Sequence, residues 1–451
     1  MGRIFGTNGV RGTINDGLTV DMVLDLSRAV GTTLKGTVAI SRDSRLGGEM
    51  FSRAVISGLL STGCSIIDLG PMPTPGLQFM VPRLDCVAGV MVTASHNPPQ
   101  FNGIKVMGSN GIEVSRKTES KIEDAYFKKT FTQVEWDEIG TVDSYETAIS
   151  EYIQGIKSHV DVSSIKERNL TVVVDGANSV GSLVTPILMR ELGCKVISIN
   201  AQMDGHFPGR DPEPLPKNLQ TLSNVVRSIG ADVGVAHDGD ADRATFVDSD
   251  GNILWGDQSF ALIASRVLAR KKESTLITPV SSGKLIEDIA EETDAKIIWT
   301  EVGSVVVSHK LLETGAELGG EENGGVFYPP HLCARDGAMT AAQIVEILAT
   351  ENKTLSKLVD ELPTYFSTKI KVAVPIEKKS LLLEPLLEIT SNENRITIDG
   401  VKLMYDTGWV LMRPSGTEPL WRVFAEAKTQ DESDRLAEKG RNIIEAALSK
   451  I

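Results

Sequence analysis

The feature that most constrains this chain is a pattern that recurs three times. Short apolar runs suited to strands alternate with stretches of helical period, and each repeat ends its third strand in a loop dense with polar residues. In the first repeat a strand at residues 37–41 leads to a helix near 48–62, with Met50, Ala54, Val55, Leu59 and Leu60 on one face. A strand at 65–69, a short helix after Pro75 and the strand VAGVMVT follow. The second repeat runs LTVVVDG, the helical SVGSLVTPILMRELG, KVISIN, a helix near 217–229, and ADVGVAHDGDADR. The third runs TLITPV, SSGKLIEDIAEE, KIIWT, a helix from about Gly303, and the turn-rich GAELGGEENGG. This alternation marks β-α-β units and predicts a parallel sheet in each segment. Ligands of open α/β sheets bind beyond the carboxyl ends of strands, so three such loops in register can converge on one cleft. From about Tyr365 the pattern breaks: KIKVAVP, RITIDG, GWVLMRP and LWRVFAEA, then a last helix, predict a small α+β domain.

A chain of 451 residues accommodates three or four domains of ordinary size. Hydrophobic residues are 41% and aromatics 5% of it, so its cores are mostly aliphatic, as parallel sheets require. Sixty acidic against 46 basic residues give a net charge of -14, which repels nucleic-acid backbones and anionic membranes. An anionic small substrate would need a local cluster of Arg and Lys. Cys64, Cys86, Cys194 and Cys333 lie far apart with no CxxC spacing and read as free thiols in a reducing compartment. With no apolar core in MGRIFGTNGVRG and no run of about eighteen apolar residues, the expectation is a cytoplasmic protein.

Four loops carry chemistry. In V92-T-A-S-H-N-P-P-Q-F-N-G-I-K105, Ser95 and His96 are neighbours; in an extended loop their side chains point to different sides, which disfavours a hydrolase pair. In D238-G-D240-A-D242-R243, three carboxylates at alternate positions can converge on one divalent cation. An EF-hand would need Gly at Arg243 and Glu at Ser249, and a phosphatase of the aspartyl-nucleophile type would leave the serine without a task. A solvated acidic turn is the plain alternative. In R413-P-S-G-T-E-P419 the Arg413 fork, the Ser415 and Thr417 hydroxyls and the Gly416 turn, with Arg422 beyond, suit an anion cradle. In G319-G-E321-E-N-G-G325, Glu321 and Asn323 suit vicinal hydroxyls, and an ordinary Gly-rich turn fits that stretch equally well. The nearest approach to a nucleotide loop, S-S-G283-K284-L, lacks the upstream Gly and the Ser/Thr after Lys.

TASHNP with a downstream NGxK, DGDxDR, GEEN and RPSGTEP, in this order, resemble the α-D-phosphohexomutases over nearly the whole chain. The resemblance implies three related mixed α/β-sheet domains at residues 1–150, 151–252 and 253–364. A C-terminal α+β domain at 365–451 would complete a heart-shaped molecule with a central cleft. It implies hexose 6-phosphate and 1-phosphate interconversion through a phosphoserine, Mg2+ and a hexose 1,6-bisphosphate, which also serves as activator. Ser95 would carry the phosphate, and Asp238, Asp240 and Asp242 with that phosphate would hold Mg2+. Arg243 and His96 would contact it, Arg11 would stand near the cleft, and Lys105 would be the general acid/base, with a lowered pKa. Glu321, Asn323 and Gly303 would meet the sugar, and Arg413, Ser415, Gly416, Thr417 and Arg422 the distal phosphate. The partners implied are sugar phosphates, with no nucleic acid or membrane, and a homodimer is an admissible assembly. FGTNGVRG lies close to the FGTDGVRG of phosphoglucosamine mutases; bacterial members of that group carry Ser and His at Asn323 and Gly325, and EENGG is more like archaeal members. Glucosamine phosphate is therefore the first reading of the substrate and glucose or mannose phosphate the second. A non-catalytic sugar-phosphate binder on the same fold has no use for an intact serine, three aspartates and Lys105.

Overall fold

A computed structural model describes residues 3–415 and 419–451. Four sheets follow one another along the chain. The first, in domain I, orders its strands Val10–Thr13, Phe101–Gly108, Ala88–Val92, Val38–Arg42, Ile66–Pro71 and Val142–Ser144. Domain II has Ala244–Asp248, Val233–His237, Thr171–Asp175 and Lys195–Ile199; domain III has Lys296–Thr300, Thr275–Pro279, Leu318–Gly320, Val326–Tyr328 and Leu332–Arg335. Domain IV is antiparallel throughout: Phe366–Ala373, Leu420–Ala427, Gly408–Pro414, Val401–Tyr405 and Arg395–Ile396.

The first three sheets are mixed, not parallel. Phe101–Gly108 returns antiparallel to Ala88–Val92, Ala244–Asp248 to Val233–His237, and Val326–Tyr328 to Leu318–Gly320. The loops between these strands are a handful of residues long, whereas a parallel crossover needs a dozen or more, so the chain can only turn back. Each of these three motif loops is consequently the tip of an antiparallel hairpin, and the strands on either side of RPSGTEP, Gly408–Pro414 and Leu420–Ala427, pair antiparallel. The returning strands FNGIKVMG, ATFVD and VFY are short, or interrupted by Gly and polar residues, so periodicity does not mark them.

Helix Gly48–Leu60 buries Phe51, Ala54, Val55, Gly58 and Leu59, the i, i+3, i+4, i+7, i+8 stripe, and leaves Met50 36% exposed. The expected face was one residue off, because Phe51 and not Met50 begins the stripe. Domain IV adds an unexpected strand, Val401–Tyr405, and RITIDG supplies only Arg395–Ile396.

The domains are joined unequally. One apolar cluster runs through domains I to III, with Met72, Phe79, Tyr152, Leu188, Phe260 and Ala341 among its members. Domain IV keeps a core of its own around Val372, Trp421 and Leu436 and meets domain III through a small cluster of Val280, Trp409 and Leu411. All four cysteines are free thiols. Among the described residues, no helix is long and apolar enough to cross a membrane.

Candidate active site

Ser95 has a left-handed backbone, φ 53°, a conformation that costs a residue with a side chain roughly 1–3 kcal/mol. Its neighbours hold it there. The Ser95 N–H donates to Thr93 Oγ1 at 2.8 Å, and Arg45 Nη2 donates to the Ser95 carbonyl at 2.6 Å. Arg45 also donates to the carbonyls of Asn97, Pro98 and Phe101, while its Nε and the Thr93 hydroxyl both donate to Asp43. Because the loop is bent and not extended, the adjacent side chains do meet: His96 Nδ1 is 3.3 Å from Ser95 Oγ. Burial, then the charges of Arg243, Arg11 and Arg335, push that imidazole down to about 2, so it is neutral near pH 7 and a poor base.

The acidic loop turns at Ala241, φ 56°, and gathers Asp238, Asp240 and Asp242 so that one oxygen from each lies within 4.8 Å of the others, all three residues buried. It presses on the serine loop: a Cβ at position 239 would stand 2.4 Å from the Ser95 carbonyl oxygen, so only glycine fits between the first two aspartates. Ser95 Oγ donates to Asp238 Oδ2 at 2.9 Å, which also accepts from Arg243 Nε and Nη2 at 3.3 Å. Thr74 Oγ1 and Lys105 Nζ each donate to Asp240 Oδ2 at 2.6 Å. Asp240 Oδ1 and Asp242 Oδ1 are buried without a hydrogen-bond partner. Orphaned carboxylate oxygens in a buried triad fit a hard divalent cation.

Burial and the neighbouring Asp242 raise Asp238 above the ordinary aspartate range. Burial pushes Asp240 the same way, but the Lys105 ammonium and the hydrogen bonds from Lys105 and Thr74 win, and its pKa is lowered. Lys105 corrects an expectation. Burial pulls its pKa down, yet Asp240 and Asp242 outweigh burial and raise it, so the lysine is held charged and not neutralised.

Glu321 is buried, and burial lifts its carboxyl against the opposing pull of Arg335. That arginine, the last residue of strand Leu332–Arg335, donates from Nη1 to Glu321 Oε2 at 3.1 Å and from Nη2 to Asp242 Oδ2 at 2.5 Å. A Cβ at position 325 would lie 2.3 Å from Arg335 Cδ, so the arginine stem fills the space a side chain at Gly325 would take. Asn323 is exposed and its Oδ1 accepts from the Gly325 N–H, which closes its own turn. Arg11 flanks the serine loop, donating to Asn97 Oδ1 at 2.8 Å and the Ala94 carbonyl at 3.2 Å.

In domain IV, Arg413 donates to Asp399 Oδ2 from Nε at 3.0 Å and pairs with it from Nη2 at 2.8 Å. The same oxygen accepts the Val302 N–H at 3.1 Å, which brings the arginine beside Gly303 at the head of helix Ser304–Thr314. Arg422 stands opposite Arg413 in the ladder, and Ser415 is buried with its N–H on the Leu420 carbonyl. Gly416 and Thr417 lie outside the described residues. Ser95, His96, Lys105, the three aspartates and Arg243 thus form one interlocked group with Glu321 through Arg335, while Arg413, with Arg422 opposite it in the ladder, is tied through Asp399 to the Val302–Gly303 turn.

The phosphoglucomutase/phosphomannomutase family matches in all four of its parts: its alpha/beta/alpha domains I, II and III over residues 2–133, 150–251 and 255–366, and its C-terminal domain over 370–443. The chain belongs to this family. It is a phosphohexomutase, an enzyme of the isomerase class. A Thermococcus kodakarensis protein named phosphoglucomutase/phosphomannomutase is 45% identical, over 99% of this chain and 100% of its own length. A phosphoglucosamine/phosphogalactosamine mutase of Sulfurisphaera tokodaii is 44% identical over the same shares. Among solved structures, a phosphoglucomutase/phosphomannomutase family protein from Burkholderia thailandensis superimposes with a TM-score of 0.89 at 28% identity, covering 98% of this chain and 97% of that one.

Four residues of this phosphohexomutase stood outside every motif. Thr74 and Arg45 precede the serine loop in sequence, Asp399 lies in a turn, and Arg335 sits in ARDG, just before the Asp336 cap of helix Gly337–Glu351. A lone cation before a helix cap is the one faint signal among them. The glycine-lysine stretch that came nearest to a nucleotide loop is stoppered: the Lys284 N–H donates to Glu426 Oε1 at 2.5 Å, so a carboxylate already sits at that helix N-terminus.

Proposed function

We propose that this phosphohexomutase moves a phosphoryl group between Ser95 and its substrate, passing through a hexose 1,6-bisphosphate, and that glucosamine 6-phosphate is converted to glucosamine 1-phosphate. The observation that carries the reading is Ser95 Oγ at 2.9 Å from Asp238 Oδ2, at the edge of a buried carboxylate triad with orphaned oxygens. Mg2+ held by Asp238, Asp240, Asp242 and the serine phosphate would neutralise phosphoryl oxygens whose charge otherwise resists transfer.

The residues of the chain supply position and protons. The left-handed turn presents Ser95 Oγ towards the triad, and Arg243 on Asp238 and Arg11 on Ala94 and Asn97 bring positive charge to it. In the forward half-reaction the O–P bond to Ser95 breaks while a new one forms to the free sugar hydroxyl; the hydroxyl proton must leave and the serine oxygen must gain one. Lys105, charged beside Asp240, can hand a proton to that oxygen and take the one the sugar releases. Glu321, Asn323 and Gly303 would meet the sugar, the first two through its ring hydroxyls, and a Cβ at Gly303 would face open space. Arg413, Ser415, Gly416, Thr417 and Arg422 would grip whichever phosphate is not reacting, so the bisphosphate can turn over and offer its other end.

FGTNGVRG and the S. tokodaii relative support the glucosamine reading; the T. kodakarensis relative supports glucose and mannose phosphates as the second. Rates with the 6-phosphates of glucosamine, glucose and mannose, side by side with Mg2+ and a trace of bisphosphate, decide between them. Peptide mass spectrometry should find phosphate on the TASHNP peptide after incubation with hexose 1,6-bisphosphate, and not in Ser95→Ala. An unmodified peptide in the wild-type protein counts against the mechanism.

A further inference from the structure

Lys402, in strand Val401–Tyr405, has no exposed surface. A buried ammonium persists only where it is partnered. Its Nζ donates to the Ser282 carbonyl at 3.1 Å, lies 3.6 Å from Glu287 Oε1, and sits 4.4 Å from the ring centre of Trp299 and 4.3 Å from that of Trp409. Burial pushes this lysine down to about 8 against the pull of Glu287 and Glu426. Ser282, Glu287 and Trp299 belong to domain III; Lys402 and Trp409 belong to domain IV. Glu426 of domain IV completes the contact, accepting from Trp409 Nε1 at 3.1 Å and from the Lys284 N–H.

Two consequences follow from where these partners sit. If domain IV lifts away, the Lys402–Glu287 pair breaks, but Glu287 keeps the Lys284 ammonium at 3.0 Å, so the joint can open without leaving that carboxylate unpaired. The lysine also rides on the hairpin that carries the phosphate grip: it pairs with Leu411 in the ladder, Arg413 lies two residues further along that strand, and Asp399 lies three residues before the lysine. The Asp399 carboxylate reaches both Arg413 and the Val302 N–H.

We propose that Lys402 is a positioning residue for the distal phosphate: clamped between Trp299 and Trp409, it fastens domain IV to domain III and thereby sets Asp399 and Arg413 against the Val302–Gly303 turn. The kinetic consequence rests on the phosphohexomutase reading; the structural one does not. Lys402→Met keeps length and loses charge. In the full-length variant the peptide bearing the Val302 N–H should exchange its hydrogen at least about tenfold faster, while peptides over Asp238–Arg243 keep wild-type rates. KM for the hexose 6-phosphate should rise roughly tenfold with kcat changed by less than about threefold. Lys402→Arg, which keeps a cation between the rings, should recover most of both effects.

Trp299→Leu, which removes only the half-buried domain III wall, provides the same two readouts should the methionine variant fold poorly. Wild-type exchange at Val302 and an unchanged KM in either folded variant overturn the proposal. So does loss of protection in domains I and II alike, because Lys402 would then support the fold in general. A wild-type protein inactive on every hexose phosphate would sink the sugar reading, and the exchange measurement alone would then judge the clamp.

Discussion

Domains I to III meet through direct side-chain bonds at their motif loops, whereas domain IV meets domain III through a caged lysine, a glutamate on a helix N-terminus and one shared carboxylate. In the first junction Ser95 donates to Asp238, Lys105 and Thr74 to Asp240, and Arg335 to Asp242, over an apolar core that runs through all three domains. In the second, the apolar contact is small and the rest is charge. The contrast teaches how the two tasks differ. Phosphoryl transfer depends on close placement, and a shared core supplies that; in the mechanism proposed above, domain IV would release and regrasp a phosphate, a task suited to a joint of polar contacts.

The largest effect should come from the interlocked side. Asp240→Asn keeps shape but removes the charge that faces Lys105 and the orphaned oxygen next to Asp242, so kcat should fall by about 10³-fold or more, with poor rescue by added Mg2+. Near-normal turnover of this variant in EDTA would show that the acidic loop is not the catalytic metal site. Arg335→Met comes next. It leaves Asp242 and Glu321 facing one another without the cation between them, and breaking a buried pair costs about 3–5 kcal/mol. Part of that cost falls on the folded state, so kcat/KM should drop roughly 10²-fold while Tm also falls. Arg335→Lys keeps the charge but not the fork and should recover only part. A full recovery by lysine would mean that charge alone joins the metal and sugar loops.

What was legible in the sequence divides along the same line. Ser95, the three aspartates and Glu321 were visible because each sits at the tip of a hairpin, where several functional groups fall within a few consecutive residues. Arg335 was not, since one partner, Glu321, lies 14 residues back across the sheet of its own domain and the other, Asp242, lies 93 residues away and meets it only after domains II and III pack. Thr74, 166 residues from Asp240, was hidden for the same reason. The sign of the Lys105 shift was hidden in the same way, since the carboxylate that holds its ammonium, Asp240, is 135 residues away. Strand direction divides the same way: periodicity shows that a strand exists but not which way it runs, so it suggested parallel sheets, whereas the mixed sheets implied by the family resemblance are the ones found, with short loops forcing the last strands back.

The polar joint gives a smaller effect of a different kind. Arg413→Ala removes a contact worth roughly 2 to 3 kcal/mol to a bound phosphate and frees Asp399, while leaving Ser95 and the triad intact. KM should rise, kcat should fall less, and free hexose 1,6-bisphosphate should escape, stalling the enzyme unless bisphosphate is supplied. A variant with wild-type KM and no dependence on added bisphosphate would place the distal phosphate elsewhere.

The smallest predicted effect is on stability, and it belongs to the interlocked side alone, since no histidine occurs from Tyr365 onward. His96 is pushed down to about 2 by burial and by Arg243, Arg11 and Arg335, whereas an unfolded histidine titrates near 6.5. Between those values the unfolded chain binds a proton at this ring that the folded chain refuses. Stability is therefore unaffected by the ring above about pH 6.5 and falls as pH drops below it, by at most about 1.4 kcal/mol per pH unit. His96→Asn should remove that component: denaturant titrations at pH 7 and pH 5.5 should show a smaller acid loss than in the wild-type protein. An identical loss in the two proteins would mean that His96 takes up its proton in the folded state, and that the positive charge gathered around Ser95 is weaker than the packed loops imply.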